Sequence, residues 1–221
     1  MSRATTTTSS PLYARLLGGL VRPFPNFDFP FIVPVRARAA ALLRLQRGAR
    51  VLDAGCGSGG SFVHLVRAVG EGGQVVGIEL DPGSASQARR RIAANGWKNV
   101  EVVEGSAEQV DLDGTFDGLL MFAAPDLFAG DGPLRNLLPR LRPGARIVFF
   151  GAKTSTRRMG WLLNGPIDLA LTRFSLPTTP GLEERPWRHL APRLRELEVE
   201  ELFHGAMFLA AGTYDGGVRL S

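Results

Sequence analysis

The chain has 221 residues, 44% of them hydrophobic, which suffices for one good core and falls short of two ordinary domains. Its net charge of +5 rests almost wholly on Arg, with Lys98 and Lys153 as the lysines, and no dense basic run forms a nucleic-acid stripe. The single cysteine, Cys56, excludes an internal disulfide and any Cys-based zinc cluster, and no metal site is expected.

In chain order, MSRATTTTSS lacks the apolar core of a signal peptide and reads as disordered. The apolar stretch from Leu16 to Val35 is broken by Arg22, Pro23, Pro25, Asp28, Pro30 and Pro34, so it cannot cross a bilayer as a helix. These features predict a cytoplasmic protein with an N-terminal extension over 1–34, partly disordered and able to act as a lid. The main domain is expected over 35–221.

A helix is predicted from Val35 to Arg47, closed by Gly48. A strict alternation follows. ARVLDAG reads as a buried strand, Gly60 to Val69 as a helix, and QVVGIEL as a second strand. Pro82 to Asn95 reads as a helix entered through proline and ended at Asn95-Gly96. NVEVVEG and FDGLLMF are the third and fourth strands, PLRNLLPRL a helix, and ARIVFFGA the fifth strand. Short apolar strands separated by helices imply βαβ units and a parallel sheet covered on both faces. Beyond Ala152 the pattern changes: 153–186 is apolar, rich in Pro and Gly, and reads as an insertion on the acceptor side. WRHLAPRLREL is predicted as a helix despite Pro192, and EVEELFHG and AMFLAAGT as two antiparallel strands joined at Gly205.

The strongest signal is VLDAGCGSGG, a strand that runs into a glycine-rich turn opening a helix. Gly55, Gly57 and Gly60 satisfy the dinucleotide pattern G-x-G-x-x-G, with Glu79 at about the distance of a ribose-binding acid. Gly55, Gly57 and Gly59 equally satisfy the G-x-G-x-G of enzymes that use S-adenosylmethionine (SAM). The glycines alone do not decide. Asp53 weighs for SAM: a carboxylate just before the loop would repel a pyrophosphate, whereas SAM carries a sulfonium and an ammonium. The antiparallel end of the sheet points the same way.

On these residues the chain resembles the class I SAM-dependent methyltransferase family, clearly over 35–152 and more loosely over 186–213. The resemblance implies a Rossmann-like α/β fold. Its seven-stranded sheet would be mostly parallel with an antiparallel last strand and helices on both faces. VLDAGCGSGG is similar to the family's first motif and places Asp53, Gly55, Cys56, Gly57 and Gly59 at the cofactor. VVGIELDP is similar to the second, where Glu79 would take both ribose hydroxyls with Leu80 beside it. VVEGSAEQV resembles the adenine-cradling motif, with Ser106 where the family often has Asp. There Ser106 or Glu108 would accept from the adenine amino group and the Ala107 N–H would reach the ring. FDGLLMFAAPDLF resembles the fourth-strand motif, which puts Met121, Phe122 and Ala123 beside the methyl group. The (Asp/Asn)-Pro-Pro-(Tyr/Phe) motif of many nucleobase and glutamine methylators is absent, which lowers both of those acceptors. The ending is loosely similar to the tail of quinone-biosynthesis and related small-molecule methyltransferases.

The implied activity is methyl transfer from SAM, with S-adenosylhomocysteine (SAH) as product, to a small hydrophobic acceptor at O, C or N. Aromatic and aliphatic residues from Phe24 to Phe31, and Met159, Trp161, Leu162 and Phe174, predict an apolar acceptor pocket. Candidate bases are few: Tyr13, which could fold over the cofactor, and His189, ahead of His64 and His204. Arg36 or Arg38 could meet the methionine carboxylate. A phospholipid amine N-methyltransferase, an RNA or protein methyltransferase, a SAM-binding protein without catalysis and an NAD-dependent oxidoreductase remain as rivals. No DNA partner is expected and RNA is disfavoured. Peripheral membrane contact is allowed, as is either a monomer or a homodimer.

Overall fold

Strands β1 (Arg50–Ala54), β2 (Gln74–Glu79), β3 (Val100–Glu104), β4 (Phe116–Phe122) and β5 (Leu141–Ala152) alternate with helices, except that a turn without a helix joins β3 to β4. The cause is legible in β5, where Ile147 and Phe149 enter one core cluster and Val148 and Phe150 the other. A strand that buries both faces needs helices on both sides, and short apolar runs without polar alternation supply that. The computed structural model describes residues 30–156, 162, 164–165 and 182–216. The remainder of the proposed lid segments, Tyr13 included, lies outside the described residues.

Among the described residues the sheet has seven strands in the order β3-β2-β1-β4-β5-β7-β6. Strands β1 to β5 pair in parallel. Strand β7 (Met207–Tyr214) runs antiparallel to both β5 and β6 (Leu194–Leu202). The strand order therefore reverses beside β1, where β2 and β3 lie on one side and β4 and β5 on the other. Open α/β sheets hold their ligands outside the carboxyl ends of the strands at such a switch point.

The helices are α1 (Val33–Leu42), α2 (Phe62–Val69), α3 (Pro82–Asn95), α4 (Pro125–Phe128) and α5 (Asp131–Leu137). Asp81 caps α3, its carboxylate accepting from Ser84 N at 2.7 Å, Pro82 opens it, and Gly96 closes it in the left-handed region. α1 stops at Leu42, short of the predicted Arg47, and Arg44 then turns with φ +50. α5 ends at Leu137, where Pro139 continues as a 3₁₀ turn and Leu141 already belongs to β5.

The predicted helix over WRHLAPRLREL is corrected. Ala191–Arg193 is a single 3₁₀ turn and β6 starts at Leu194, paired with Tyr214. Leu190, Leu194 and Leu197 have helical spacing in sequence, and all three do face one core cluster. An irregularity between Arg195 and Glu198, with Glu196 at φ +52, makes this work in an extended chain. One extra residue switches the pleat, so Leu194 and Leu197 point to the same side. The β6–β7 joint ends at Gly205 as expected and carries Phe203 and His204 at φ +49 and +55.

No helix among the described residues is long and apolar enough to cross a membrane.

Candidate functional site

The carboxyl ends of β1 to β4 open into a cleft of about 770 Å³. That lies within the roughly 300–1,000 Å³ typical of small-molecule sites. β1 delivers the glycine turn to it. Gly57 sits at φ +56, and a Cβ added there would meet nothing within 4 Å, so bare backbone faces open space. Gly55 is held differently: a Cβ there would stand 2.7 Å from the Ala124 Cβ, so the loop packs directly on the turn after β4. Gly59 does not line the cleft, because it turns under the Phe62 ring, while Gly60 does.

β2 ends in Glu79, which ties the site together. Its Oε2 accepts from Gly57 N at 2.8 Å and its Oε1 from Asp81 N at 2.9 Å. Both carboxylate oxygens are thereby fixed at the cleft wall with further lone pairs to offer. Leu80 lines the same wall and is exposed. β3 contributes Ser106 and Ala107, both in the lining. Their turn is braced by Asn136, whose amide donates to the carbonyls of Ala107 and Val110 at 3.0 and 2.9 Å. β4 contributes Phe122, stacked on Phe150 at 4.5 Å. It then turns sharply at Ala123 (φ +59), whose N–H donates to Phe150 O.

Asp53 lies beneath the loop rather than in the lining. It is fully buried, and neither carboxylate oxygen has a partner of normal hydrogen-bond geometry. Burial pushes its carboxyl up to about 7. Arg36 opposes the rise, Glu79 adds to it, and the Ser61 hydroxyl, outside normal hydrogen-bond geometry, again opposes it. Cys56 lines the cleft, and burial, with the charges of Asp53 and Glu79, pushes its thiol up. A thiol held protonated is a poor nucleophile, so Cys56 reads as packing.

Arg36 is the cation of the site. It is buried on α1, donates from Nη1 to Ser61 Oγ at 3.1 Å, and rests over the Phe122 ring at 4.3 Å. Arg38 points elsewhere and pairs with Glu200 on β6. His189 is not in the lining. Its Nε2 accepts from Arg188 Nε, and its Nδ1 stands 3.9 Å from Asp131. Nor are His64 and His204 there. Among the lining residues not predicted from sequence is Asp126, a carboxylate just past the end of β4, whose only signal was its place in FAAPD.

Residues 51–144 match the family described as a methyltransferase domain. These residues form a methyltransferase domain of the class I SAM-dependent kind. It is 36% identical over 124 residues to a probable cobalt-precorrin-6B C(15)-methyltransferase (decarboxylating) of Sulfolobus acidocaldarius, covering 52% of this chain and 59% of that one. Against a demethylmenaquinone methyltransferase of Symbiobacterium thermophilum it is 28% identical over 180 residues, covering 76% and 72%. A SAM-dependent methyltransferase from Aquifex aeolicus superposes with a TM-score of 0.57 at 20% identity, over 91% of this chain and 98% of the other, a likeness of fold. The chain spans about half to three-fifths of the length of the first curated relatives it matches. For this methyltransferase fold the cofactor is SAM, and the open backbone at Gly57 and the fixed carboxylate of Glu79 fit it.

Proposed function

We propose that this methyltransferase moves a methyl group from SAM to a small, hydrophobic acceptor. The observation that carries the reading is Glu79, held at a strand end by Gly57 N and Asp81 N and facing the cleft. A carboxylate so fixed can take two neighbouring ribose hydroxyls without ordering cost. SAM, when bound, supplies an electrophilic methyl on a sulfonium.

The chain's own residues do the rest. Gly55 and Gly57 let backbone approach the amino-acid part of the cofactor, and Arg36 is placed to pair with its carboxylate. Ser106, Ala107 and Leu80 wall the adenine. Phe122 and Ala123 form the apolar floor on the acceptor side, where excluding water favours transfer. A small acceptor is supported by the names of two relatives, which mention cobalt-precorrin-6B and demethylmenaquinone. His189 is outside the cleft lining and is not proposed as the base.

The test is calorimetric titration with SAM, SAH and NAD, after mass spectrometry for co-purified ligand. Binding of the adenosyl ligands without NAD supports the reading. A folded, ligand-free protein that binds neither SAM nor SAH overturns it.

A further inference from the structure

Among the described residues four carboxylates line the cleft: Glu79, Asp81, Glu108 and Asp126. Glu79 is taken by two backbone N–H groups and Asp81 caps α3. Glu108 is exposed on the β3 side, against Gly132. Asp126 differs from all three. It is half-buried, and among the described residues no hydrogen bond or ion pair reaches its carboxylate from another residue. Its neighbours along the chain that also line the cleft, Ala123, Ala124, Pro125, Leu127 and Ala129, are all apolar.

Its place is fixed by the turn that bears it. Ala123 swings the chain out of β4 in the left-handed region, and Ala124 and Leu127 pack on Gly55. Asp126 therefore stands on the rim between β4 and the glycine loop, at the switch point. A carboxylate in apolar surroundings costs free energy unless it has a partner to meet. Burial accordingly pushes its carboxyl above the usual range.

We infer that Asp126 is the acceptor-recognising group of the cleft and that it selects an amine. The inference rests on the cofactor reading above. Charge decides between nucleophiles. A neutral amine that attacks the sulfonium methyl acquires the positive charge, and a carboxylate beside it stabilises that charge as it develops. A phenolate would enter as an anion and be repelled. In the balanced step the nitrogen lone pair forms the N–C bond, and the C–S bond breaks with its pair passing to sulfur. The proton shed by nitrogen goes to the Asp126 carboxylate.

The test is probe binding to the SAH complex, which needs no knowledge of the natural acceptor. Benzylamine, benzyl alcohol and benzoate are titrated into wild type, D126N and D126E. Benzylamine should bind about 10–100-fold tighter than benzyl alcohol, as expected of a charge-assisted hydrogen bond. D126N should erase the preference, D126E restore part of it, and SAH affinity should stay unchanged. No amine preference in wild type, or one that survives in D126N, overturns the proposal, as does failure of every probe to bind. A loss of SAH affinity in D126N would place the carboxylate on the cofactor and equally overturn it. Should D126N not fold, the Asp126 carboxyl carbon resonance of the wild-type SAH complex must move with benzylamine and not with benzyl alcohol, and an unmoved resonance overturns the proposal. Absence of SAH binding itself would instead remove the cofactor reading.

Discussion

Glu79 does two things at once, and its replacement should show both. Glu79→Ala removes the proposed ribose acceptors and frees Gly57 N and Asp81 N. SAM binding should weaken by about 1.5–3 kcal/mol, roughly 10–150-fold, by calorimetry. Unchanged affinity in a folded variant would remove Glu79 from the site. Gly57→Val places a branched side chain at φ +56 and into open cleft. It should cost about 1–2 kcal/mol of stability and abolish SAH binding. Asp53 makes a prediction in pH. Its folded carboxyl titrates near 7, above the ordinary carboxylate range. Both folded and unfolded chains hold it neutral below about pH 4. From there to about 7 the unfolded chain ionises and the folded one does not, so stability falls by up to about 4 kcal/mol. Asp53→Asn should therefore gain stability relative to wild type as denaturant melts move from pH 5 to pH 8. A constant gap would mean that Asp53 does not titrate in that window.

At the scale of elements, β1, β2, β4 and β5 were readable because both-face burial writes itself as runs such as VVGI and IVFF. Helix α3 was readable from its proline start and glycine stop, Pro82 and Gly96. β6 was not, because Leu190, Leu194 and Leu197 keep a helical period that a bulge reproduces in a strand. Periodicity reports which side chains share a face, and a bulged strand and a helix can share the same answer. Most of the glycine loop was likewise plain in sequence. Asp126 was not, since its meaning comes from the turn at Ala123 and from neighbours that burial alone reveals. Glu196→Gly separates the two readings of β6. In a helix, glycine there would cost about 1 kcal/mol. At φ +52 in a strand it should relieve strain of roughly 1 kcal/mol, so the melting temperature should rise by about 2–4 °C for a chain of this size. A fall of that size would reinstate the helix.

At the scale of the whole molecule, the cleft is made of pieces brought from four strand ends, so a ligand that fills it bridges elements far apart in sequence. Gly57, Glu79, Ala107 and Phe122 are joined there, and unfolding must separate them. A ligand bound to the folded chain alone stabilises by mass action, about 2.7 kcal/mol at a hundred times its dissociation constant. That corresponds to a rise in melting temperature of roughly 5–10 °C for a chain of this size. SAH should produce it, and NAD at the same concentration should not. The asymmetry has a physical origin in Glu79, whose negative charge sits beside the loop where a pyrophosphate would have to lie. The SAH shift should also hold at high salt, because the proposed ribose contacts are short, fixed hydrogen bonds rather than long-range attraction. A shift with NAD, or an SAH effect that vanishes with added salt, would mean that the +5 charge of the surface, and not the geometry of the cleft, governs what this molecule holds.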